Sequence, residues 1–149
     1  MASATATLNR RGTSEIYIGG AGDTRTRLVA AYAEARQRDF AHEAHHDAHY
    51  FPHYALRRIL NLARQHADAG RTLILVGHSW GGDTALRVLK ALQPRRVDLL
   101  VCVDPVPKSR LNPPPTPRNA RRIIHVDARP SHPNRSDQVK EMGQWFGGT

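Results

Sequence analysis

Ser79 stands in the pattern of this sequence that points most directly to chemistry. The segment Gly77–Gly82 reads G-H-S-W-G-G and fits the pattern G-x-S-x-G. It follows the apolar run Thr72–Val76 and precedes leucines at helical spacing, which places it at a strand-to-helix turn. So tight a turn projects the serine hydroxyl above the sheet and needs glycine wherever a Cβ would collide. The pattern therefore predicts a serine nucleophile that attacks a carbonyl carbon.

The wider segment Leu75–Gly82 resembles the nucleophile turn of the α/β-hydrolase superfamily, whose lipases commonly carry G-H-S-x-G. The resemblance implies an α/β fold and a serine hydrolase, lipase-like or esterase-like, that cleaves a carboxylic ester or thioester. It also implies an oxyanion hole, because the G-G-A-G turn Gly19–Gly22 stands where the family has its oxyanion loop. A backbone N–H of Ala21 or Gly22 would join that of Trp80 around the oxyanion.

Two aspartates are candidates for the acid that the resemblance implies. Asp104 ends the apolar run Leu99–Val103, 25 residues after Ser79, and its V-D-P context resembles the Asp-Pro of lipases whose acid follows this strand. Asp127 ends the last predicted strand and takes the acid position of other family members. We favour Asp104 and keep Asp127 as the alternative.

The general base is the weakest part of the resemblance. His132 is the candidate by chain order, 28 residues after Asp104, but it lies on a predicted loop, whereas the family places its histidine after a further strand. The family's first two strands are also absent, so the resemblance covers the core from about residue 14 to 146. This indicates a minimal hydrolase, a fragment, or a domain without its base. A histidine of segment 42–53 is the alternative base, and His78 is assigned to packing.

Segment 42–53 is unusually rich in histidine, with five of them in twelve residues: His42, His45, His46, His49 and His53. Its start reads H-E-A-H-H and satisfies the zinc-binding pattern H-E-x-x-H. On a helix, His42, His46 and His49 would share one face and could bind zinc or nickel. No apolar stripe supports a helix here and Pro52 follows closely, so we expect a polar loop. We predict no metal and no cofactor for the reaction.

The charge of the chain is strongly basic. Its 149 residues include 22 Lys and Arg against 13 Asp and Glu, a net charge of +9. The arginines form no dense tract and nine aromatic residues offer little stacking surface, which argues against dedicated nucleic-acid binding. A basic surface suits a small, anionic or lipid-like ester. The lone cysteine, Cys102, stands in an apolar run and is expected to be a buried thiol.

No apolar run is long enough to span a membrane, and the first twenty residues lack a secretory pattern, so we expect a cytoplasmic protein. Apolar runs predict strands at 15–18, 72–76, 99–103 and 123–126, with a short strand near 50–54. Helical stripes are formed by Leu28, Tyr32 and Ala35, by Leu56, Ile59, Leu60 and Ala63, by Leu86, Leu89 and Leu92, and by Val139, Met142 and Phe146.

Strands that are apolar on both faces alternate with helices, which indicates a parallel sheet covered by helices. We therefore expect one domain over residues 1–149, a three-layer α/β sandwich with about five mostly parallel strands. Residues 105–117 hold six prolines and are expected to form an irregular loop that borders the acyl pocket. Without the family's final strand, one sheet edge stays open. This predicts a homo-oligomer or a partner chain at that edge.

Overall fold

The computed structural model describes residues 11–115 and 117–127. Within them lie five strands: β1 (Thr13–Gly19), β2 (His46–Pro52), β3 (Thr72–His78), β4 (Val97–Val103) and β5 (Ala120–Val126). The same residues form four helices: α1 (Asp23–Thr26), α2 (Leu28–Asp39), α3 (Leu56–Asp68) and α4 (Trp80–Leu92). His132 and the helix predicted around Val139, Met142 and Phe146 lie outside the described residues.

The five strands form one sheet in the order β2-β1-β3-β4-β5, and every neighbouring pair is parallel. Helix α2 packs on β1 and β2 at one face, while α3 and α4 pack on the other face against β1, β3 and β4. The prediction of a three-layer α/β sandwich with about five parallel strands is confirmed. Among the described residues, no helix combines the length and apolar character that a membrane crossing requires.

The main core lies between the sheet and the pair α3 and α4. Alternate residues of the central strands, such as Leu73 and Leu75, point into it and are fully buried. Helix α4 contributes its apolar side, including Val88 and Leu89. Cys102 is buried in the same layer on β4, as its apolar run predicts.

The opposite face of β3 and β4 is apolar and only partly covered by the described residues. The side chains of Ile74, Val76, Leu99, Val101 and Val103 line a cavity of about 660 Å³ there, and Leu28, Val29 and Tyr32 of α2 form its wall. We call this surface the open face.

The structure corrects two sequence-based predictions. Segment 42–53 is not a polar loop throughout, because residues 46–52 form β2 and pair along their whole length with β1. His46 and His49 therefore point to opposite faces of a strand and do not share the face that a helix would have given them. In α2 the buried residues are Ala30 and Ala33, whereas the predicted stripe residues Leu28 and Tyr32 are 70% and 56% exposed.

Candidate active site

Ser79 lies on the turn that joins β3 to α4, at the carboxyl edge of the sheet. Its backbone has φ 54° and ψ −122°, a conformation that costs a residue with a side chain roughly 1–3 kcal/mol. Three backbone hydrogen bonds hold it there. The Ser79 N–H donates to the Val103 carbonyl at 2.9 Å, and the Ser79 carbonyl accepts from Gly82 at 2.9 Å and Val106 at 3.1 Å.

The glycines that flank Ser79 are required by close backbone approaches. A Cβ on Gly77 would lie 2.4 Å from the carbonyl oxygen of Gly81, and a Cβ on Gly81 would lie 2.2 Å from that of Ile18. Neither contact can be relieved by moving a side chain, because both neighbours are backbone atoms. The turn, and the contact of α4 with β1, therefore depend on glycine at both positions.

The turn between β1 and α1 approaches the serine through Gly20. A Cβ on Gly20 would lie 2.8 Å from Cβ of Ser79 and 3.3 Å from its Oγ. Ala21 and Gly22 follow as exposed residues, and Gly22 caps the N terminus of α1. Trp80 begins α4, so its N–H has no acceptor within the helix. The close approach of Gly20 brings the turn Gly19–Gly22 next to Ser79.

Asp104 and Asp127 follow neighbouring strands at the same edge of the sheet. Asp104 directly follows β4, is buried, and donates its N–H to the Val126 carbonyl at 2.8 Å. Because β4 pairs with β3, Asp104 stands one strand away from the Ser79 turn. Asp127 is exposed and follows β5, one strand further away.

The histidines of segment 42–53 are spread over the molecule, and His53 is the one beside the Ser79 turn. Its ring meets the ring of Trp80 edge to face, with 5.1 Å between centroids. Its Nδ1 is buried and has no hydrogen-bond partner among the described residues. Burial lowers the pKa of His53, and the positive charge of Lys108 adds to the effect, so the ring is neutral at pH 7. His78 instead points into the open face.

A polar network joins the loop after β4 to the first turn of α4. Asp83 is 1% exposed and accepts a hydrogen bond from Arg87 Nε at 2.6 Å and from the Lys108 backbone N–H at 3.0 Å. The Lys108 ammonium donates to Thr84 Oγ1 at 2.6 Å and to the His53 carbonyl at 2.8 Å. Sequence reasoning missed this network, although an acidic residue in the first turn of a helix was a usable signal.

A family model described as alpha/beta hydrolase fold matches residues 20–129 of this chain. The match includes Ser79, Asp104 and Asp127 and ends before His132. No curated protein and no solved structure gives a significant match.

Proposed function

Because the chain belongs to the alpha/beta hydrolase fold family, we propose that it hydrolyses a carboxylic ester or thioester with Ser79 as the nucleophile. The observation that carries the proposal is the strained backbone of Ser79 on a strand-to-helix turn. A general base takes the hydroxyl proton as Oγ attacks the carbonyl carbon, and it then gives that proton to the alcohol or thiol that leaves. Water, activated by the same base, then releases the acid from the acyl-serine.

The tetrahedral intermediate carries a negative charge on the former carbonyl oxygen. In the proposal, this oxygen accepts hydrogen bonds from the Trp80 N–H and from an N–H of the β1–α1 turn, at Ala21 or Gly22. The close approach of Gly20 to Ser79 supports this, because it brings that turn next to the nucleophile. The N terminus of α4 adds a favourable dipole.

We assign Asp104 as the acid that orients the base, and His132 as the base. Asp104 is buried and directly follows β4, the strand beside β3, which favours it over the exposed Asp127 after β5. His132 stays the candidate by chain order. His53 is the alternative, because its neutral ring contacts Trp80 directly after the nucleophile.

For the substrate, we infer a small or lipid-like ester that carries negative charge. The net charge of +9 favours anionic ligands at the protein surface. The proline-rich loop that starts at Pro105 follows Asp104 and is held to α4 by Asp83, so it would border the acyl pocket.

Labelling with a fluorophosphonate serine probe, followed by mass spectrometry, tests the proposal. We expect one adduct on Ser79, hydrolysis of p-nitrophenyl esters, and loss of both in Ser79→Ala. Thr72→Ala is the matched control, because Thr72 begins β3 at the end of that strand far from Ser79, and it should keep both activities. Folded protein that neither reacts with the probe nor hydrolyses any ester of the panel would contradict the proposal.

The second candidate is a catalytically incomplete hydrolase domain that associates with a second copy of itself. The open face favours this candidate, since it is apolar and includes β4, the strand beside β5, which is an edge strand among the described residues. Sedimentation equilibrium tests it. Self-association that Ser79→Ala leaves intact, together with absent probe labelling, would favour this candidate over catalysis.

A further inference from the structure

A polar cluster interrupts the apolar layer between the sheet and α3, at the amino-terminal half of the strands. It consists of Asp47 and His49 on β2 and His66 on α3. Each side chain offers one potential ligand atom, and the three atoms lie within 4.8 Å of one another. The cluster lies at the end of the strands opposite the Ser79 turn. It therefore has no place in the proposed hydrolysis.

His66 is held so that one ring nitrogen faces the cluster. The side chain is 8% exposed, and its Nδ1 lies 2.6 Å from the hydroxyl of the fully buried Ser14. Nε2 then points toward Asp47 and His49. A hydrogen bond to one ring nitrogen that fixes the other is the usual support of a metal-binding histidine.

Two atoms of the cluster have no hydrogen-bond partner among the described residues. They are Oδ1 of Asp47 and Nε2 of His49, and both are buried. The Nε2 atom lies 3.3 Å from the other carboxylate oxygen of Asp47. Buried polar atoms are nearly always paired. Two ligand atoms that are buried in one cluster without a hydrogen bond indicate that a metal ion fits between them.

We propose that Asp47, His49 and His66 bind one divalent transition-metal ion of the zinc class. Two imidazole nitrogens and one carboxylate oxygen are ligands that Zn²⁺ prefers, and a water molecule would complete a tetrahedral shell. The ligand set differs from the H-E-x-x-H set of the sequence. It needs His66, which the chain places on a different element.

Arg71 competes with the ion. Its Nη1 lies 3.1 Å from Oδ2 of Asp47 and 3.5 Å from Nε2 of His66. Its Nη2 donates to the carbonyls of Thr13 and His45 at 3.0 and 3.1 Å. A bound ion displaces Nη1 from both Asp47 and His66, while the Nη2 bonds can stay. The arginine charge therefore weakens metal binding, and its removal should strengthen it.

Titration of the untagged, metal-free chain with Zn²⁺ by calorimetry tests the site. We expect one ion per chain, with affinity reduced at least tenfold in His49→Gln and in Asp47→Asn and increased in Arg71→Met. His42→Gln is the matched control, because His42 is exposed, lies in the same segment and is outside the cluster. Its affinity should stay unchanged. Circular dichroism checks the fold of each variant.

Co²⁺ provides a second readout, since tetrahedral coordination gives an intense visible absorption band that surface binding to single histidines lacks. No saturable binding, or an equal loss in His42→Gln and His49→Gln, would overturn the proposal. Ser79→Ala should bind the ion like the unmodified chain. A failure of the proposed hydrolysis would therefore not be mistaken for a failure of the metal site.

Discussion

The strained backbone of Ser79 should lower the stability of the folded chain, and variants at this position can measure by how much. Glycine adopts φ 54° and ψ −122° far more easily than serine or alanine, but it also loses more entropy on folding. We expect Ser79→Gly to have a free energy of unfolding about 1 kcal/mol higher than Ser79→Ala. Urea denaturation of both variants measures the difference. Equal stability of the two variants would show that the turn is not strained.

Glu15 is the buried charge whose contribution to stability depends on pH. Its side chain is 5% exposed and accepts hydrogen bonds from Arg36 at 2.6 and 3.0 Å and from the Tyr17 hydroxyl at 2.9 Å. Burial raises the pKa of Glu15, but the hydrogen bonds from Arg36, Tyr17 and His46 outweigh it and hold the pKa below the ordinary value of 4.5. As the pH falls below that value, the unfolded chain binds the proton first. The stabilisation is therefore present above it and is lost toward lower pH.

We expect Glu15→Gln to lower the free energy of unfolding by roughly 3 kcal/mol at pH 7, because it leaves the Arg36 charge without its buried partner. The difference should shrink at about pH 3. Glu34→Gln is the control, since Glu34 pairs with Arg27 at the surface and its loss should cost less than about 1 kcal/mol. Urea denaturation at both pH values checks this. A pH-independent penalty at Glu15 would contradict it.

The contacts of some residues can be predicted from the sequence, and those of others cannot. The role of Gly77 follows from local chain geometry, because the Gly81 oxygen that it approaches belongs to the same turn, whereas Gly81 itself approaches Ile18 on β1. The pairing of His49 with His66 does not follow from local chain geometry either. It joins residues of two elements that meet only after β2 has paired with β1 and α3 has packed on the sheet.

Asp83 on helix α4 holds the loop after β4 to the helix by accepting a hydrogen bond from the Lys108 backbone N–H. We expect Asp83→Asn to raise the rate of tryptic cleavage at Lys108 and Arg110 roughly tenfold, since a buried hydrogen bond to a charged group contributes about 1.5–3 kcal/mol. Asp68→Asn is the control, because Asp68 pairs with Arg95 in an exposed position and should leave cleavage unchanged. Unaltered cleavage in Asp83→Asn would show that the loop is held by other contacts.

The elements that the sequence predicts least well are α2 and β2. Helix α2 packs mainly on β1 and β2, and it approaches them closely through Ala30 and Ala33. Its larger residues Leu28 and Tyr32 point toward the open face. The apolar stripe predicted from them therefore does not identify the side of the helix that packs on the sheet. Strand β2 starts four residues before the short strand predicted near 50–54, because its first residues are polar and their burial depends on neighbouring elements.

At the scale of the whole molecule, the net charge of +9 should govern the choice of substrate. We expect kcat/KM for an anionic ester to fall roughly tenfold between about 0.01 M and about 0.5 M NaCl, because salt screens the attraction. A neutral ester of the same acyl length is the control and should change little. Equal salt dependence of both esters would show that charge does not select the substrate.

The sheet architecture was predictable because it rests on β3 and β4, whose apolar runs identify strands covered on both sides. The strand order places Ser79 and Asp104 at one edge, as their positions after neighbouring strands require. The base stays a prediction, since His132 lies outside the described residues. Chain order alone cannot bring a histidine to a serine 53 positions away.

Cys102 has a practical consequence for work on this chain. It is the one cysteine of the sequence, it lies fully buried in β4, and burial raises the pKa of its thiol to about 11. A protonated thiol without solvent access does not react with an alkylating reagent, so modification requires β4 to open. The rate at which Cys102 is alkylated in native buffer therefore measures how often the sheet opens at β4. It can rank the folding integrity of any variant without added denaturant or dye.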